Sequence, residues 1–212
     1  MYLGQHVALS GVAALWRLAR RLEPRARRRK PPLLLFTDPD RTPDPAAVAA
    51  QLPRGAGEVF RAFGAHDALE TGRRLARICR RRGLVLLVGA DPDLARRLGA
   101  PGVHLPERLA ARPGIVSALR RRYRVTAAAH DLPAVLRARR AGAQALIVSP
   151  VFPSRSPSAG PPLGPMLLAS LVRRAGIPVY ALGGVNAETA RTLKLAGASG
   201  LAAVEALAEA RT

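Results

Sequence analysis

Few residues in this chain can do chemistry, and they fall at comparable places, just past short apolar runs. His130 is the leading acid/base candidate, because an imidazole passes a proton either way near neutral pH; it stands just past Arg124–Ala128. Gly183-Gly184 follows Val179–Leu182 and precedes Asn186, which stands where a helix cap belongs. Glycine lets a backbone approach a ligand closely, and free N–H groups at a helix start bind anions. A polar, proline-rich stretch past Ala145–Val148 carries Ser154, Arg155 and Ser156, donors suited to phosphate oxygens. Thr37, Asp38 and Arg41 follow the first run, Arg61 ends the second, Asp91 follows the third, and His104 and Glu107 attend the fourth. Each has a plainer reading: Gly183-Gly184 as a tight turn, His130 as a capping or packed histidine, and His104 as a strand residue facing core. His6 and His66 lack supporting context, and no Cys/His spacing suits a metal.

The elements that must position these residues are legible as alternation. Apolar runs at Leu33–Thr37, Glu58–Ala62, Leu84–Val88, Gly102–Leu105, Arg124–Ala128, Ala145–Val148, Val179–Leu182 and Gly200–Val204 read as buried parallel strands. Segments of helical period lie between them: Ala68–Arg82, Pro92–Leu98, Ile115–Arg122, Leu132–Ala141, Leu163–Ala175 and Ala187–Leu195. Gly83, Gly142, Gly176 and Gly197 sit where C-caps belong, and Asp91, Asp131 and Asn186 where N-caps belong. Strands alternating with helices predict a parallel α/β fold, a single (β/α)8 TIM barrel. The rival doubly wound sheet lacks its glycine fingerprint, since Asp38-Pro39-Asp40-Arg41 follows the first strand. In a barrel the segments just past each strand line the ligand site, so the candidates above would share one mouth.

Composition bounds the rest. The 212 residues suit one domain, and no apolar run is long enough to span a bilayer. The single cysteine, Cys79, forms no internal disulfide; it reads as a small core residue, and a free thiol fits a cytoplasmic protein. The net charge is +20, with 34 basic residues against 14 acidic ones. That field suits a polyanion, but the basic residues are spread over many helices as solvated faces, so no specific nucleic-acid partner is expected. Residues 1–32 stand apart as a basic extension, with residues 33–212 as the barrel. Leu15, Trp16, Leu18, Ala19 and Leu22 alternate with Arg17, Arg20 and Arg21, an amphipathic helix followed by a basic run through Lys30 and the break at Pro31-Pro32. It reads as a helix outside the barrel core, capping the base or hanging loose, with contact to a membrane surface as the alternative. Nothing in the sequence sets an oligomeric state.

Six motifs together carry a family resemblance: LLLFTDP at 33–39, DLARRLGAPGVHL at 93–105, AAHD at 128–131, SPVFPSRS at 149–156, ALGGVN at 181–186 and GASGLAAV at 197–204. In order, over residues 33–207, they resemble the thiamine phosphate synthase/TenI superfamily. The resemblance implies an enzyme of thiamine biosynthesis acting on a phosphorylated small molecule, thiazole phosphate. Synthases of that family couple it to hydroxymethylpyrimidine diphosphate with Mg2+. The family's tautomerase branch isomerises it by metal-free proton transfer. Of the family's Gln-x-Arg-x-Lys pattern only Arg61 is kept here, and Gly89-Ala90 stands where Asn-Asp is usual. Pro106-Glu107-Arg108-Leu109 replaces Gly-Gln-Glu-Asp. The usual metal carboxylates are therefore missing, so no metal ligand is assigned; Mg2+ is implied only if coupling is retained, with Asp91 and Glu107 as neighbouring substitutes. His130 and Arg61 are the expected catalytic residues. Ser154, Arg155, Ser156, Gly183, Gly184 and Thr37 are the expected phosphate and substrate contacts. The alternatives are an inactive barrel that binds a phosphorylated ligand, or a basic protein whose N-terminal arm binds membrane or RNA.

Overall fold

Strands whose residues are apolar on both faces need cover on both, and a closed ring of parallel strands inside a helical layer supplies it. The computed structural model describes residues 3–22, 30–154, 156 and 160–204, and the side chains of residues 3–10 are left undescribed. Eight parallel strands close in sequence order: β1 (Leu33–Phe36), β2 (Gly57–Phe60), β3 (Val85–Gly89), β4 (Gly102–Leu105), β5 (Arg124–Ala129), β6 (Ala145–Val148), β7 (Val179–Ala181) and β8 (Gly200–Ala203). The ring shuts where Leu34 of β1 meets Gly57 of β2 on one side and Ala202 of β8 on the other. Alternate residues face inward. Leu34, Phe36, Val59, Leu87, Ile147 and Tyr180 fill the barrel, while Leu33, Leu35, Leu86 and Val88 face the helices.

The helical layer is α1 (Leu3–Leu22), α2 (Pro45–Ala49), α3 (Ala68–Arg82), α4 (Pro92–Leu98), α5 (Glu107–Ala110), α6 (Ile115–Leu119), α7 (Leu132–Ala141), α8 (Gly164–Ala175) and a 310 segment, Thr189–Leu195. The caps of α3, α4, α7 and α8 fall as the sequence indicates, whereas the last segment is flanked by Glu188 and Ala196 instead of Asn186 and Gly197. Asp91 accepts from Leu94 N at 2.8 Å, Asp131 accepts from Ala134 N at 2.7 Å, and Gly83, Gly142 and Gly176 take left-handed C-cap geometry. Three details differ from expectation. Two short helices, α2 and α5, carry too few residues to show a helical period. The segment expected as Ile115–Arg122 ends at Leu119, and the one expected as Ala187–Leu195 is a seven-residue 310 turn.

The larger correction concerns α1. It neither hangs loose nor lies outside the core; it packs on the barrel flank against β1, β8 and the 310 segment. Val12, Leu15 and Ala19, spaced as one helical stripe, are buried in the main core. That stripe is therefore not free to meet a membrane surface. The basic residues Arg25, Arg27, Arg28 and Arg29 lie outside the described residues. No described helix is long and apolar enough to cross a membrane.

One buried residue has no analogue among the capped and paired groups. Glu58 on β2 is 0% exposed, flanked in register by Leu35 and Leu86, and neither carboxyl oxygen has a hydrogen-bond partner. Burial raises its pKa well above its ordinary 4.5. Cys79, on α3 behind the sheet, is pushed up to about 12, first by burial and then by the nearby Glu58. The thiol is thus an inert core group. The folded state keeps the Glu58 proton and the unfolded chain releases it above its ordinary value. Stability should therefore fall as pH rises from that value through the folded one. Glu58→Leu should raise stability by about 1–3 kcal/mol at neutral pH. Thermal melts should show its advantage over the parent widening from pH 5 to pH 8; an equal gain at both values would refute the assignment.

Candidate functional site

At the C-terminal ends of the strands a cavity of about 1020 Å3 opens, walled by loops from around the ring. Arg61, His104, His130, Ser154, Ser156, Gly183 and Gly184 all line it. The fold thus brings together the expected histidine, arginine, serines and glycines from β2, β5, β6 and β7. Arg155 lies outside the described residues. Thr37 is not on the wall. It is 2% exposed, its hydroxyl accepts from Arg61 N at 2.8 Å and its carbonyl accepts from Arg61 Nε at 2.6 Å. Thr37 therefore positions Arg61.

Local sequence explains where each group sits. Asp131, the cap of α7, fixes the helix start and leaves His130 at the end of β5. His130 Nδ1 lies 2.5 Å from the carbonyl of Ser149, past β6. A carbonyl only accepts, so Nδ1 is the donor in this contact and Nε2 is the ring nitrogen left without a partner among the described residues. Arg61 follows the outward Phe60, so the pleat turns it inward. Its guanidinium lies 5.6 Å from the Phe36 ring and 5.2 Å from the Phe63 ring. One terminal nitrogen is buried without a hydrogen bond, since Asp38 stands 3.6 Å away, within ion-pair reach only. Burial lowers the Arg61 pKa to about 10, against the pull of Asp38, so the group stays charged at neutral pH. Asp38 is held below its ordinary range, first by its hydrogen bond from Arg41.

The glycine turn is shaped by its neighbours as much as by a ligand. Gly183 and Gly184 take φ of +90° and +63°. A Cβ on Gly183 would stand 2.7 Å from Pro150 Cα, and one on Gly184 the same distance from Phe152 Cβ. Among the described residues, no acceptor meets the backbone N–H of Gly184 or Val185. Asn186 Oδ1 takes the N–H groups of Glu188 and Thr189, each at 2.9 Å, so the 310 turn itself offers less to an anion than a full helix would. Ser154 and Ser156 face the same part of the cavity, with Ser156 N donating to Ser154 Oγ at 3.3 Å.

For His104 the structure bears out the plainer reading, a strand residue facing core, whereas the strain at Phe63 and Ala90 carried no sequence signal. His104 lies 7% exposed inside the barrel, its Nδ1 3.0 Å from Thr126 Oγ1 and its ring edge-on to Phe36. Burial, then Arg61, pushes its pKa down to about 3, so it is neutral. Phe63 and Ala90 hold left-handed φ of 49° and 61° on neighbouring loops, a strained conformation for residues with a Cβ. The carboxylates do not fit a Mg2+ site. Asp91 lines the cavity but caps α4, and Glu107 pairs with Arg137 at 3.0 Å. No three His, Cys, Asp or Glu side chains converge among the described residues.

Comparison with known proteins agrees with this geometry. A family model described as thiamine monophosphate synthase, TMP-TENI, matches residues 33–207. A thiamine-phosphate synthase of Bacillus velezensis is 28% identical over 176 residues, 79% of this chain and 78% of that protein. One from Methylococcus capsulatus is 36% identical over 152 residues, covering 68% of this chain and 64% of that protein. Among solved structures, a thiamine phosphate pyrophosphorylase from Pyrococcus furiosus superposes with a TM-score of 0.69 at 25% identity, covering 88% of this chain and 87% of that one. With the ring closed, the candidates gathered at one mouth and most of the chain matched, the chain belongs to the thiamine monophosphate synthase (TMP-TENI) family.

Proposed function

We propose that this chain acts in thiamine biosynthesis on a thiazole phosphate, moving a proton on the thiazole with His130. The observation that carries the reading is the contact of His130 Nδ1 with the Ser149 carbonyl at the wall of the cavity. Its Nδ1–H donates to that carbonyl, which leaves Nε2 as the nitrogen that exchanges a proton with the ligand. The phosphate is held by the N–H groups of Gly184 and Val185 and the hydroxyls of Ser154 and Ser156, with Arg155 in the same loop. Nε2 accepts a proton from the thiazole and returns it at a second position, so the ligand is isomerised and the imidazole regenerated. No metal takes part, in keeping with the commitments of Asp91 and Glu107 elsewhere.

A second reading, coupling to hydroxymethylpyrimidine diphosphate, is favoured by Arg61. Its buried terminal nitrogen with an unmet donor is suited to an anionic oxygen, on strands well separated from the glycine turn. One assay divides the readings. The chain is incubated with thiazole phosphate alone, following isomerisation and deuterium uptake from D2O, and separately with both precursors, with and without Mg2+. Isomerisation without metal is the expected result. Thiamine phosphate formed only with Mg2+ would favour coupling. Binding with neither reaction would mark an inactive barrel and sink the proposal.

A further inference from the structure

One large apolar ring at the mouth stands in the open. Phe63 is 68% exposed and lines the cavity just past β2. Its backbone is no better suited to it. Ala65 N donates to Ala62 O at 2.9 Å, which closes a tight turn with Phe63 and Gly64 at its centre, at φ of 49° and 80°. Positive φ at both central positions suits Gly, Asn or Asp, and a residue with a bulky side chain is strained there. Neither packing nor turn geometry calls for phenylalanine at this position, so its use lies in what the ring touches.

The ring touches Arg61, whose guanidinium carbon lies over it, 5.2 Å from the centroid. Two further contacts hold that side chain. Nε donates to Thr37 O at 2.6 Å, and the guanidinium carbon lies 5.6 Å over the ring of Phe36, which is buried on β1. One terminal nitrogen is buried with no hydrogen bond. Asp38 stands 3.6 Å from it and takes its short contact, at 2.8 Å, from Arg41 instead. The kind of partner decides what the arginine can still do. A carboxylate would occupy its donors. A ring holds the cation through its π face and accepts no in-plane N–H, so those donors are left for an oxygen anion. The ring also keeps part of the cation from water, which strengthens its pull on an anion.

We propose that Phe63 is a positioning residue: its ring holds the Arg61 guanidinium so that the terminal N–H groups meet a phosphoryl oxygen of the ligand at the β2 side of the mouth. The inference rests on the ligand bringing an anionic group to Arg61, as in the coupling reading, and does not involve His130. The strained turn is then the cost of placing a ring, not a polar side chain, against the arginine.

The test is calorimetric titration of the full chain with inorganic pyrophosphate, with a thermal melt of each protein. Arg61→Gln should bind about tenfold more weakly than the parent, having lost its charge-assisted donors. Phe63→Asn relieves the turn and removes the ring. It should melt at or above the parent temperature yet bind about fivefold more weakly, a pairing that loss of structure would not produce. Phe63→Tyr keeps the ring face and should bind within about twofold of the parent. Parent-like affinity in Phe63→Asn would overturn the proposal. So would equal weakening in Phe63→Asn and Phe63→Tyr, or a lowered melt in Phe63→Asn, since the ring would then be a packing element. Weakening in Arg61→Gln but not in Phe63→Asn would leave the anion site and the coupling reading standing and remove only the role of Phe63. Parent-like binding in Arg61→Gln would place the pyrophosphate elsewhere and remove both.

Discussion

His130→Ala is expected to lower kcat by about 10²–10⁴-fold while leaving phosphate affinity nearly unchanged. The ring is exposed at the mouth, with its Nδ1 bonded to the Ser149 carbonyl. Its loss removes a base from the ligand and leaves no packed void, so the melting transition should hold. The phosphate side needs a separate probe. Gly184→Val is unsuited, because the loop past β6 already occupies the space a side chain would need. Ser154→Ala with Ser156→Ala should instead raise KM and largely spare kcat, the pattern of lost ground-state binding. Steady-state kinetics on thiazole phosphate for the three proteins checks both halves. Unchanged turnover in His130→Ala would take the histidine out of the mechanism.

Removing residues 1–22 is expected to destabilise the barrel severely. Val12, Leu15 and Ala19 are 6%, 0% and 0% exposed, and Trp16, Leu18 and Leu22 pack at the edge of the same core. At roughly 1.5–3 kcal/mol for each large side chain buried, the helix contributes on the order of 5 kcal/mol, and its loss also uncovers β1 and β8. A domain of this kind has about 5–15 kcal/mol in all, so the melting temperature should fall by roughly 10–20 °C or the transition should vanish. Leu15→Ala is the milder version, at about 2–5 kcal/mol. A truncated chain melting within a few degrees of the parent would show that the barrel stands without α1.

The sequence by itself determined the barrel and most of its mouth. Parallel strands buried on both faces must be continuously apolar, and helices need caps where their N–H groups and carbonyls run out. Runs such as Ala145–Val148 and caps such as Asp131 and Gly142 therefore mark element and boundary locally. Because the fold then places every strand end at one mouth, His130, Arg61, Ser154, Ser156 and Gly183-Gly184 meet by topology alone.

Tertiary structure decided what partners do to each residue. Thr37 reads in sequence as a ligand contact, yet Arg61 takes its hydroxyl from a strand 24 residues away. His130 has its Nδ1 held by a carbonyl 19 residues on. Glu58 looks like one polar residue in a strand and proves buried without a partner, because α3 and the neighbouring strands close over it. The stripe on α1 is legible as amphipathic, but its partner is not. An apolar helix face has the same periodicity whether it meets lipid, another chain or its own barrel, and only the packed fold decides among them.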